Sequence, residues 1–222
     1  MLYIIQNHPD VPAGIYGDLL KTARIPFQTI CADRGVPLPV ATSATAVIVL
    51  GGYMGVHDVE QFPFLRGVKN FVRDCVSANT LFFGICLGGQ LLAEVLGGEV
   101  KARCCGEKGV CQLKLTPAGE EDPLFRGVKV PFSAFQWHND SFSPPPTAQW
   151  LASSATCPGQ AFRHGRAWGV QFHPEADLAI VRNWTKESGR SLEYQQDFSR
   201  REIELRSFGT RLLGNFLEMA GC

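Results

Sequence analysis

Three side chains in this chain have the types and surroundings that nucleophilic catalysis uses: Cys86, His173 and Glu175. Cys86 sits within Gly84-Ile85-Cys86-Leu87-Gly88. Before it runs Leu81-Phe82-Phe83, an apolar stretch suited to a buried strand. After it runs Gln90 to Leu96, a series of good helix formers. A strand, a sharp turn and a helix make a nucleophile elbow, which lifts the reactive side chain out of a sheet. Glycines stand two before and two after the cysteine because strand and helix backbones approach closely there. The unpaired amides and the dipole of a helix start favour an anion at that place, here the thiolate. A cysteine in an apolar stretch is also often a small buried hydrophobe, so Cys86 alone does not decide between the two readings.

Gln171-Phe172-His173-Pro174-Glu175 supplies what a thiol nucleophile needs. Pro174 holds His173 in an extended conformation and stops a helix from including it. Residues two apart in extended chain point to the same side, so His173 and Glu175 can share one cluster. Nucleophile, base and base-orienter together are the logic of a catalytic triad.

The elements that would position these groups follow from periodicity. Leu2 to Gln6, Phe27 to Cys31 and Ala46 to Leu50 read as strands, and Tyr16 to Ala23 and Phe62 to Ser77 as helices. Strands alternating with helices argue for an α/β fold: a parallel sheet with helices on both faces. After Gly97-Gly98 the pattern changes to short strand candidates over 110–115, 130–136, 150–153, 161–163 and 167–172. Ala176 to Asn183 reads as a helix, Thr185 to Glu193 as a polar loop or insertion, and Gln195 to Ala220 as one helix. His8, His57 and His164 read as exposed loop residues, and Cys104, Cys105 and Cys111 as structural or incidental thiols.

The two motifs together with Gly51-Gly52 make the chain resemble the class I glutamine amidotransferases, and most closely the stand-alone relatives of the amidotransferase domain of guanosine monophosphate synthetase. The resemblance covers nearly the whole chain. It implies a flavodoxin-like, open, twisted and mainly parallel sheet, with residues 1–222 forming a single amidotransferase domain. It implies Cys86 as nucleophile, His173 as base and Glu175 as its orienter. The backbone N–H groups of Gly52 and Leu87 would form the oxyanion hole, although Tyr53 stands where the family has proline. Gln90, Asn139 and Asp140 would hold the substrate, Asn139 replacing the family's glycine. His138 reads as a structural loop histidine, and Glu107 matches a family motif without an assigned role. No metal or organic cofactor is required by this chemistry.

Composition is consistent with such an enzyme. In 222 residues Lys+Arg and Asp+Glu are equal at 21 each, which gives no electrostatic case for nucleic acid or an anionic membrane as partner. No apolar run approaches a membrane span, no secretion signal is recognisable, and the eight cysteines fit a reduced, cytoplasmic setting better than a disulfide framework. Three functions stay open: glutamine hydrolysis with ammonia passed to a synthetase partner, hydrolysis of a γ-glutamyl peptide or conjugate, and a binding or regulatory module with an idle triad. The sequence contains no Gly-x-x-x-x-Gly-Lys-[Ser/Thr] loop for ATP.

Overall fold

The computed structural model describes residues 1–221. Its first half alternates as expected: β1 (Leu2–Gln6), α1 (Gly14–Thr22), β2 (Phe27–Cys31), β3 (Ala46–Val49), α2 (Phe64–Ser77), β4 (Leu81–Ile85) and α3 (Leu87–Val95). Then follow β5 (Val100–Lys101), β6 (Glu107–Leu115), α4 (Pro117–Glu121), β7 (Phe132–His138), β8 (Ser141–Phe142), β9 (Gln149–Ser154), β10 (Ala161–His164) and β11 (Ala167–Val170). Three helices close the chain: α5 (Leu178–Thr185), α6 (Ser191–Arg200) and α7 (Glu202–Ala220).

Nine strands form one sheet in the order β2-β1-β3-β4-β11-β10-β9-β6-β7, and β5 pairs with β8. The five strands from β2 to β11 are mutually parallel; from β11 to β7 the pairings are antiparallel. The inner parallel strands β3, β4 and β11 are apolar and buried along their whole length because both faces are covered, whereas the edge strand β2 exposes Gln28 and Thr29. Alternate residues serve opposite layers. Ile4, Ile48 and Phe83 pack with Tyr16 and Leu20 of α1 and Leu212 and Phe216 of α7. Ile5, Val47, Val49 and Phe82 pack with Leu65, Val68 and Val72 of α2 and Leu91 and Leu92 of α3. A third, smaller core joins Phe135 of β7 to Val181 and Trp184 of α5 and Phe198 of α6.

That third core corrects one expectation. The predicted single helix over 195–220 is two helices, α6 and α7, broken at Arg201, where φ is −114° and ψ is 10°. Phe198 faces Phe135, whereas Phe208, Leu212 and Phe216 face the large core beneath the sheet. One straight helix would not present both sets to their separate cores. The polar stretch 185–193 is correspondingly a short connection that already contains the start of α6 at Ser191. His164 also differs from expectation: it ends strand β10, paired with Ala167, and is half-buried.

Candidate active site

β3, β4 and β11 are adjacent and parallel, so their C-terminal ends lie on the same edge of the sheet. Gly51-Gly52 follows β3, Cys86 follows β4, and the segment 171–175 follows β11. This is the edge at which parallel sheets present ligand sites. The Cys86 N–H donates to Val170 O at 2.8 Å, joining the two strand ends directly. Cys86 has φ 51° and ψ −108°, a conformation costing a non-glycine residue on the order of 1–3 kcal/mol. It forms the N-cap of α3, whose first-turn amides have no partner within the helix. The elbow glycines are obligatory for space: a Cβ on Gly84 would lie 2.4 Å from Gly88 O, and one on Gly88 would lie 2.1 Å from Val49 O.

His173 and Glu175 meet, though across a turn at Pro174-Glu175 and not along the extended chain expected. His173 Nδ1–H donates to Glu175 Oε1 at 2.8 Å, with both side chains buried. The Cys86 sulfur lies near enough to the same ring to favour its charged form. Burial opposes the charge on His173, but the Glu175 carboxylate and the Cys86 sulfur outweigh it and push the pKa up to about 10. The arrangement therefore favours a charged imidazole between the Glu175 carboxylate and the Cys86 sulfur.

Several residues that fix this cluster had no separate signal in the sequence. The Trp184 ring lies edge-on to His173, with centroids 4.6 Å apart, and its Nε1–H donates to Asp10 O. Tyr16 is fully buried, and burial, with the Glu175 charge adding to it, raises its pKa well above 10. The backbone after Pro174 is gripped from two helices. Ile15 N–H donates to Glu175 O at 2.9 Å, and Cβ atoms on Gly14 and Gly209 would lie 2.0 Å and 2.1 Å from Glu175 O and Pro174 O. These glycines sit in helices far away in sequence, where their spacing alone carries no chemistry.

A small cavity of about 120 Å³ opens onto Cys86, lined also by Gly52, Tyr53, Gln90, Asn139 and Asp140. The structure thus brings the expected substrate residues to one cavity with Cys86. Asn139 is exposed, and the half-buried Asp140 accepts a hydrogen bond from Arg103 N–H at 2.9 Å. Gln90 is buried rather than on a helix surface, and its Nε2 donates to Asp140 O and Gln171 Oε1, each at 3.2 Å. Gly51 packs where a Cβ would stand 3.1 Å from His173 Cε1, and a Cβ on Gly52 would stand 2.8 Å from Leu87 Cδ2. The two residues expected to supply the oxyanion donors, Gly52 and Leu87, are therefore close neighbours beside the elbow. A larger hollow of about 540 Å³ between α1 and α5 contains none of these groups.

His138 is not in a loop: it ends β7, opposite Glu107 of β6. Its Nδ1 lies 2.9 Å from Asp140 O, and its Nε2 lies 3.7 Å from Glu107 Oε2. Ser154 Oγ donates to Glu107 Oε1, and Gln160 Nε2 donates to Glu107 Oε2. Glu107, His138 and Cys157 bring potential metal-ligating atoms within 4.8 Å of one another. Both Glu107 oxygens are already engaged by the protein's own donors, and Cys157 Sγ donates to Gly159 O at 3.7 Å. This buried cluster braces the back of the cavity.

Comparison with known proteins agrees with this geometry. The family model "Glutamine amidotransferase class-I" matches residues 21–182. The chain belongs to the class I glutamine amidotransferase family. Among similar proteins is a glutamine-hydrolysing GMP synthase component of Sulfolobus acidocaldarius, 36% identical over 63% of this chain and 74% of that one. Another is a γ-glutamyl-L-1-hydroxyisopropylamide hydrolase of a Pseudomonas species, 29% identical over 82% of this chain and 65% of that one. The crystal structure of a glutamine amidotransferase from Thermotoga maritima superposes with a TM-score of 0.89 at 27% identity, covering 100% of this chain and 98% of that one. This amidotransferase thus has the family's flavodoxin-like fold across its described length.

Proposed function

We propose that this amidotransferase hydrolyses the side-chain amide of glutamine through Cys86, His173 and Glu175. The observation that carries the reading is His173, hydrogen-bonded through Nδ1 to Glu175 and beside the elbow sulfur, which also favours its charged form. The Cys86 thiolate attacks the amide carbon, and the N–H groups of Gly52 and Leu87 stabilise the oxyanion, each donor supplying ~3–4 kcal/mol. His173 passes its proton to the departing ammonia. Glu175 keeps the imidazole in the productive tautomer and supports its charge. Water activated by His173 then cleaves the γ-glutamyl thioester to glutamate, and Gln90, Asn139 and Asp140 orient the substrate's α-groups. The resemblance to the glutamine-hydrolysing GMP synthase component supports a synthetase partner that receives the ammonia.

A second reading has its own support, since a γ-glutamylamide hydrolase is among the relatives. The same triad would then cleave a γ-glutamyl amide bond other than that of glutamine. Mass spectrometry of the protein quenched in acid after exposure to glutamine, or to γ-glutamyl dipeptides, separates the readings. A glutamyl adduct on Cys86 from glutamine, absent in His173→Ala, is the expected result. An adduct from the dipeptides alone would select the second reading, and an adduct on another residue would refute the triad.

A further inference from the structure

A chain of side-chain amides runs from the cavity wall to the nucleophile, and its direction is fixed by its two ends. Asp140 O, a backbone carbonyl, can only accept. Gln90 must therefore turn its NH2 group toward it, and the same NH2 donates to Gln171 Oε1. With its oxygen committed, Gln171 turns its own NH2 outward, where Nε2 lies 3.6 Å from Cys86 Sγ. The amide orientation of both glutamines is thus decided by the hydrogen-bond network. Gln171 has no exposed surface, and Gln90 is 3% exposed, so water does not compete for these bonds. Asp140 O is held a second time by His138 Nδ1 at 2.9 Å.

We infer that Gln171 is a further catalytic residue, whose amide N–H holds the Cys86 thiolate, and that the Gln90–Asp140 link ties this contact to the substrate-facing segment 138–140. A donor on sulfur stabilises the anion more than the neutral thiol, because the bond becomes charge-assisted. It also restrains the sulfur, which borders the cavity. A substrate that draws on Asn139 or Asp140 would pull on the same chain and so adjust the nucleophile as it binds. The inference rests on Cys86 as the nucleophile, but not on glutamine as the substrate.

The test uses iodoacetamide, which needs no substrate site, on the purified full chain, with peptide mapping to follow Cys86 alone. Gln171→Met is expected to slow Cys86 alkylation at pH 7 by about tenfold, with the rate recovering as pH rises. Gln171→Glu keeps the shape but sets an acceptor against the sulfur, and should slow it further. Gln90→Met, which removes the orienting donor, should give a smaller loss of the same kind. With a turnover substrate, kcat should fall more than KM changes. Wild-type alkylation rates in both Gln171 variants would overturn the inference. So would a loss that high pH does not restore, since that marks a packing defect. If Gln171→Met fails to fold, Gln171→Glu and Gln90→Met read the same chain. Normal alkylation effects without glutamine turnover would count against the proposed substrate and leave Gln171 in place.

Discussion

At the scale of single residues, His173 has the state most dependent on its neighbours. Its pKa is raised from 6.5 to about 10 despite burial, because Glu175 and Cys86 favour the charged ring. A raised histidine value means that the folded state binds the proton more tightly than the unfolded chain. The resulting stability is fully present below about 6.5 and is lost as pH climbs through about 10. The melting temperature should therefore fall between those pH values, and fall less in Glu175→Gln, as followed by circular dichroism. An equal drop in both proteins would count against the pair. The other thiols make a second prediction. Burial pushes Cys75 and Cys157 up to about 12 and Cys111 up to about 11, so these remain protonated near neutrality. A diazoketone analogue of glutamine should label Cys86 at least tenfold faster than any of them. Peptide mapping that finds the label chiefly on Cys104, Cys105 or Cys111 would remove Cys86 from its proposed role.

At the scale of elements, the elbow depends on contact between backbones rather than on any side chain. Gly88 opens α3 directly against the end of β3, where a Cβ would stand 2.1 Å from Val49 O. Gly88→Ala must push the helix away from the sheet, and should cost roughly 3 kcal/mol or more in urea unfolding together with most of the activity. Gly214 provides the contrast within the same molecule. It is an exposed position of α7 with nothing within 4 Å of a Cβ, so Gly214→Ala should stabilise by about 0.5–1 kcal/mol. If the two substitutions cost the same, close approach is not what holds the elbow glycine. A related lesson comes from α6 and α7. Apolar spacing marked 195–220 as helical correctly, but the break at Arg201 exists because two separate cores claim the two halves.

At the scale of the whole molecule, the proposed chemistry needs something to restrain it, since free glutamine hydrolysis is wasteful. No described helix is long and apolar enough to cross a membrane. Tyr53, next to the proposed oxyanion donor Gly52, is 53% exposed and rests edge-on against His8 at 4.7 Å. A partner that covers Tyr53 would reach the oxyanion turn directly and shift the balance toward its active arrangement. An ammonia-donating enzyme should thus release glutamate slowly alone and faster when a synthetase partner is added. A γ-glutamyl hydrolase should be fully active alone on its own substrate. Glutamate release measured from glutamine and from γ-glutamyl dipeptides, without a partner, compares the two. Rapid turnover of the dipeptides with weak turnover of glutamine would displace the ammonia-transfer reading.

The sequence by itself determined what is local. Gly84-x-Cys86-x-Gly88 between an apolar run and helix formers specifies an elbow, because turn chemistry and hydrophobic period act over a few residues. His173-Pro174-Glu175 likewise marked a base and a carboxylate two residues apart, but the structure pairs them across a turn at Pro174-Glu175, closed by Ala176 N–H donating to His173 O, and not along the extended chain that the proline suggested. The alternation of strand and helix was enough for a parallel sheet covered on both faces. Only the tertiary structure decided that β11 enters beside β4, so that Val170 O meets the Cys86 amide and two distant motifs share one sheet edge. It alone moved His138 from a loop to a strand end facing Glu107. It alone fitted Gly14 and Gly209 against the His-Pro-Glu backbone and linked Asp140 O, Gln90 and Gln171 to the sulfur. Such contacts join residues tens of positions apart, and they arise from which surfaces pack together, a property that no short stretch of residue types encodes.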